Sequence, residues 1–118
     1  MVIAHVGVTV VAIVANALAA TADFARAPFV LENSAAVGVP VSWLTPLGLL
    51  KAAGALGLLL DLLGVPLVGT AAAVGLVLFF VGAILAHLRA GDDGPPVGFP
   101  ASFLVLAVAA LVLGALVG

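Results

Sequence analysis

The sequence predicts an all-α polytopic membrane protein, a compact bundle of four transmembrane helices forming a single membrane domain over residues 1–118. Three observations predict it. Hydrophobic residues make up 66% of the chain and charged ones only 7%, with a mean hydropathy of +1.51. A soluble domain of this length could not hide so much apolar surface, whereas hydrocarbon can serve as its solvent. The apolar residues also fall into runs long enough to cross a bilayer. Leu62 to Ala86 contains no charge over 25 residues, about 37 Å as a helix against a hydrocarbon core of ~30 Å. Finally, Gly, Pro and charged residues are gathered between the runs. The abundant Val, Ile and Phe do not argue for strands, because an isolated strand leaves backbone groups unsatisfied in lipid and a barrel needs many shorter, alternating segments.

The expected spans are 2–22, 44–63, 66–88 and 97–118. In the first, Val6 to Ala22 is apolar except for Thr9, Asn16 and Thr21, with His5 at its entrance. No Lys or Arg precedes Val6 and the stretch exceeds an ordinary signal-peptide core, so it is read as a retained helix. Asp23, Arg26 and Pro28 end it. Ser42 or Thr45 as a cap, with Pro46 in the first turn, opens the second span. Gly64-Val65-Pro66 reads as a tight turn into the third. The link Gly91-Asp92-Asp93-Gly94-Pro95-Pro96 precedes the fourth, its two Asp residues read as solvated turn residues. With four spans, both termini share one side. The positive-inside bias of Arg26 and Arg89 puts loops 23–43 and 89–98 in the cytoplasm.

Small residues recur at helix-contact spacing. They include Ala12, Asn16 and Ala20, then Ala53 and Gly57, Ala71 and Gly75, and Ala110, Gly114 and Gly118. In lipid such spacing lets helical backbones approach closely. Gly54, Gly57, Gly75 and Gly82 are the glycines expected at packing positions. Composition alone produces some of these coincidences.

Polar groups are so few that each is informative. His5, Thr9, Asn16 and Asp23 share one broad face of the first helix, suited to helix–helix hydrogen bonds or to a pocket lining. Lys51 lies about two turns inside the second span, where an ammonium in lipid costs roughly 2.5–3.5 kcal/mol on insertion scales. It either snorkels to the surface or faces inward toward Asp23, Glu32 or a bound anion. Asp61 belongs near the opposite membrane face, beside His5. His87 ends the third span on the side of Asp23 and Lys51, so topology gathers these three groups at one face. Arg89 and Glu32 are within reach of them, and Trp43 is an interfacial anchor or the roof of a cavity. A carboxylate, a Lys and a His suit proton transfer, binding of a polar head, or an interfacial salt-bridge network. The candidate catalytic residues are Lys51, His87 and Asp23. The candidate ligand-binding residues are Asn16, Lys51, His87, Trp43, Glu32 and Arg89.

Other classes of function are excluded. The chain has no cysteine and a net charge of −2, which removes disulfides, thiolate chemistry, Cys-ligated metals and a basic nucleic-acid surface. His5 and His87 fall at opposite faces, so no two-His metal site is expected. No phosphate loop, zinc-hydrolase motif, nucleophile elbow or haem-attachment motif is present.

The span layout, the start Lys51-Ala52-Ala53-Gly54 of a Gly-rich second helix, and the ending Gly82-Ala83-Ile84-Leu85-Ala86-His87 of the third together resemble the DoxX-like family of small four-helix membrane proteins. The resemblance covers nearly the whole chain and rests on the short elements Lys-x-x-Gly and Ala-x-x-x-His. It implies a four-helix bundle in a bacterial cytoplasmic membrane and singles out Lys51, Gly54 and His87. Some relatives are associated with quinone-linked sulfur oxidation and others with redox-stress assemblies, so no single reaction is implied. The leading expectation is an integral-membrane accessory or small lipophilic-ligand-binding protein linked to quinone or redox processes. The alternatives are a membrane enzyme using His87, Lys51 and Asp23 for acid/base chemistry, and a structural subunit of a membrane complex. Quinone or lipid is the ligand to look for. Membrane lipids, a second copy of the chain or a redox protein are the partners.

Overall fold

The structure, a computed structural model, describes residues 1–91 and 97–117. The acidic link at Asp92 and Asp93 and the last small-residue position, Gly118, lie outside the described residues. Among the described residues five α-helices follow in order: α1 (Val2–Ala25), α2 (Pro28–Ala36), α3 (Leu44–Leu62), α4 (Pro66–Arg89) and α5 (Gly98–Val117). A 3-10 turn, Val41–Trp43, leads into α3. The described residues contain no strand. Four helices are long and apolar enough to cross a membrane, α3 being counted with the turn before it.

The helix ends show where the sequence expectations hold and where local geometry differs. α1 continues to Ala25, three residues past the expected end, because its closure uses Arg26 in the left-handed conformation (φ 52°). There the Ala27 N–H reaches back to the Ala22 carbonyl at 3.1 Å, satisfying a carbonyl that the helix end would otherwise leave open. Pro28 does more than follow the first span. It occupies the first turn of α2, a nine-residue helix the sequence reading treated as loop. The Ser42 or Thr45 cap expected for α3 is not made; Trp43 holds the cap position with no side-chain bond, and the 3-10 turn feeds the helix directly. The Gly64 turn forms as expected. Gly64 sits at φ 101°, and the Val65 N–H bonds the Leu60 carbonyl at 2.9 Å.

α1, α3, α4 and α5 form a closed ring in which each helix packs on two neighbours, α1 and α4 lying across from each other. Ala12, Leu58, Ala73, Leu76, Phe80 and Ala107 form the buried centre. Outside, large apolar side chains such as Ile3 (89% exposed) and Leu67 (81%) point away from the bundle, as lipid contact demands. The closest seam joins α3 and α4. An added Cβ on Gly57 would stand 2.5 Å from Ala72 Cβ, and one on Gly54 would stand 2.5 Å from Leu76 Cδ2. Packing of this kind replaces the aqueous hydrophobic force that the bilayer removes. Gly75 and Gly82 are a correction: a Cβ on either would meet nothing within 4 Å, so neither provides close approach inside this bundle.

Candidate functional site

The inward stripe of α1 is His5, Thr9, Ala12, Asn16, Ala20 and Asp23, all buried. Asp23 is its last member. On α3 the neighbouring backbone is Gly48, where a Cβ would come within 3.1 Å of Asp23 Cβ. The glycine makes room there for the Phe24 ring, whose Cε1 would lie 2.8 Å from the added Cβ, as well as for Asp23. Lys51 is one turn deeper, about 4.5 Å along the helix, and it extends back toward the bundle end to donate a hydrogen bond from Nζ to Asp23 Oδ2 at 2.9 Å. The two side chains are 16% and 5% exposed. Lys51 therefore snorkels, but to a buried carboxylate rather than to the headgroup region. Its ammonium also lies 5.5 Å from the centroid of the Phe79 ring, a cation–π distance.

These groups open onto a cavity of about 430 Å³ at the α2 end of the bundle. Asp23, Lys51 and His87 all line it, with Ser34 and Asn33 contributed by α2 and Trp43 by the turn before α3. His87 is in the last turn of α4 and is buried. The remaining wall is apolar and unusually aromatic. Phe29, Phe79, Phe80, Phe99, Phe103 and Trp43 line it, leaving Phe24 as the one aromatic side chain of the chain elsewhere. The rings form a continuous series. Phe29 meets Phe99 (5.9 Å between centroids), Phe99 stacks on Phe103 (5.4 Å), Phe103 meets Phe80 (5.1 Å), and Phe80 meets Phe79 edge-on (4.9 Å). The series ends under the Lys51 ammonium. Few polar groups converging in a deep apolar cavity is the general form of a small-molecule site.

A family model matches residues 7–110, described as the DoxX-like family. The chain belongs to the DoxX-like family. Neither a curated protein nor a solved structure matches it. The family match begins in α1 and ends in α5, so it takes in α3, α4 and most of α1 and α5, with the ionisable cavity residues Asp23, Lys51 and His87 of this DoxX-like protein.

Lys51, Gly54 and His87 occupy distinct positions in the DoxX-like bundle. Lys51 and His87 line the cavity, whereas Gly54 is a packing position facing Leu76. Trp43, half exposed, stands at the cavity wall. The other expected ligand-binding residues lie elsewhere. Glu32 and Arg89 are exposed and line no part of the cavity, because α2 turns Glu32 outward and Arg89 lies beyond the buried turn of α4. Asn16 is fully buried two turns below Asp23, and its amide Nδ2 donates to the Ala12 carbonyl of its own helix at 2.9 Å. It does not reach the cavity. Ser34 and Asn33 were missed because their helix was read as loop; Pro28 in a first-turn position was the available signal.

The opposite end of the DoxX-like bundle carries a separate pair. His5 Nε2 is 3.2 Å from Asp61 Oδ2, at ion-pair distance but without an aligned hydrogen bond. Glycines again provide the room. A Cβ on Gly69 would collide with Asp61 Cβ, and one on Gly114 would lie 3.4 Å from His5 Nε2. No group of three or more His, Asp or Glu able to hold a metal ion occurs among the described residues. The two ends are separated by the apolar centre of the bundle.

Proposed function

We propose that this DoxX-like integral-membrane protein binds a small lipophilic ligand, with its oxygen-bearing head at Lys51 and His87 and its apolar part along the phenylalanine series. A quinone ring and the head of a membrane lipid are the two ligand classes that fit this description, and a bacterial cytoplasmic membrane is the location the family suggests. One observation carries the reading: six of the chain's seven aromatic side chains line a single 430 Å³ cavity that also contains its one lysine. Scaffolding alone gives no reason for that concentration. An acid/base enzyme is the second reading, favoured by Asp23, Lys51 and His87 lining one cavity; turnover of a bound carbonyl compound would distinguish it from binding alone.

The test uses protein in lipid nanodiscs titrated with a short-tailed benzoquinone, with partition into empty nanodiscs subtracted. Lys51→Met is expected to lower occupancy at least tenfold while circular dichroism stays unchanged. Equal occupancy in a folded Lys51→Met protein refutes the proposal.

A further inference from the structure

We propose that Asp23 sets the charge specificity of this cavity: by holding the Lys51 ammonium it makes the site accept an uncharged oxygen-bearing head and reject an anion. The inference rests on the binding function proposed above and adds the class of ligand and the residue that selects it. A lysine in a lipophilic cavity suggests an anion site at first sight, but the geometry points the other way. Nζ is 2.9 Å from Asp23 Oδ2 and both side chains are largely buried, so the two formal charges cancel where water screens them poorly. Among the described residues, the other charged side chains near this end, Arg26, Glu32 and Arg89, are exposed and line no part of the cavity. His87 adds positive charge only when protonated.

An incoming carboxylate would therefore lose its hydration without gaining a net cation, and it would sit close to the carboxylate of Asp23. Unpaired charge is the most costly thing to bury. An uncharged carbonyl or hydroxyl meets no such penalty. The ammonium has three N–H donors. One serves Asp23 and the Phe79 face lies near the cation, which leaves donor capacity for a ligand oxygen. Ser34, buried at the cavity wall, adds a hydroxyl that can donate or accept. Asp23 is in this respect a specificity-determining residue acting through Lys51, not a group that needs to touch the ligand.

The experiment compares two probes of nearly equal shape, 2-acetonaphthone (uncharged) and 2-naphthoate (anionic). Binding to protein in zwitterionic nanodiscs is measured at pH 8, again corrected for empty nanodiscs. The wild type is expected to bind the ketone at least tenfold more tightly than the carboxylate. Asp23→Asn, nearly isosteric, leaves the Lys51 cation uncompensated and should shift the ratio at least tenfold toward naphthoate. The double variant Asp23→Asn/Lys51→Gln, with neither charge, should return to ketone preference. A wild-type preference for naphthoate, or a ratio unchanged in folded Asp23→Asn, overturns the inference while leaving ligand binding in place. Binding of neither probe by the wild type overturns the binding function itself, and the inference with it.

Discussion

Replacing Gly57 by alanine tests whether α3 and α4 are held by backbone proximity. The new Cβ would stand 2.5 Å from Ala72 Cβ, about 1–1.5 Å inside ordinary van der Waals contact. Ala72 has no torsion through which its Cβ can move aside, so the helices themselves must separate. Overpacking of that kind costs about 1–3 kcal/mol, and a gap approaching 1 Å forfeits roughly a quarter to a half of each dispersion contact along the seam. Against this, alanine in a helix interior is favoured over glycine by about 1 kcal/mol. Gly57→Ala should thus lower unfolding free energy by up to about 2 kcal/mol net. Gly75→Ala is the matched control: its Cβ meets nothing within 4 Å, so it should be neutral or stabilising by up to about 1 kcal/mol. Reversible unfolding in mixed micelles, followed by circular dichroism, measures both. Equal effects, or greater damage from Gly75→Ala, would refute the assignment of the α3–α4 seam as the close contact.

Two further substitutions probe the rest of the stripe. Gly69→Ala forces Asp61 from its place against α4, so the variant should lose the His5 contact as well as the fit. In a double-mutant cycle His5→Ala should then cost nothing further, whereas in the wild type it removes one side of the His5–Asp61 contact; an undiminished cost in the Gly69→Ala background refutes the coupling. Asn16→Leu keeps the number of side-chain heavy atoms and removes Oδ1, a fully buried acceptor without a hydrogen-bond partner among the described residues. It should be neutral or stabilising by about 1 kcal/mol in the same unfolding assay. Loss of benzoquinone binding in that variant would return Asn16 to the ligand site.

The helices were legible in the sequence because lipid leaves so few options: uncharged runs of some 20 residues can satisfy their backbones only as helices. Topology alone then placed Asp23, Lys51 and His87 at one end and His5 with Asp61 at the other, since four alternating spans fix which ends are neighbours. Other features were not legible. α2 carries only two buried residues, Val30 and Ser34, and so has no strong apolar period to read. The packing glycines also could not be ranked. Gly57 and Gly75 stand in the same small-xxx-small pattern with Ala53 and Ala71, but only Gly57 faces a neighbouring helix closely. The pattern gives a spacing and not a rotation. Nor does any run of residues announce that phenylalanines from α2, α4 and α5 will meet around one lysine.

Rotation is where the polar residues of α1 have their effect. With Ala at many positions, the small contacts at Ala12 and Ala20 would tolerate several orientations of α1 about its own axis. The polar pairs at its two ends would not. His5 reaches Asp61 and Asp23 reaches Lys51, both on α3, while Ile3, Val10, Val14 and Leu18 face outward. Turning α1 by one residue, about 100°, would carry His5 and Asp23 toward lipid and leave Lys51 and Asp61 without their partners. A stranded charge costs roughly 2.5–3.5 kcal/mol at the bilayer centre on insertion scales and less toward the ends, where these groups lie. The net stability of a formed buried pair is small, but the penalty for breaking it is large. Two such pairs at opposite ends of one helix therefore select its orientation far more strongly than they hold it in place. The same selection that fixes α1 presents Asp23 to Lys51 at the cavity.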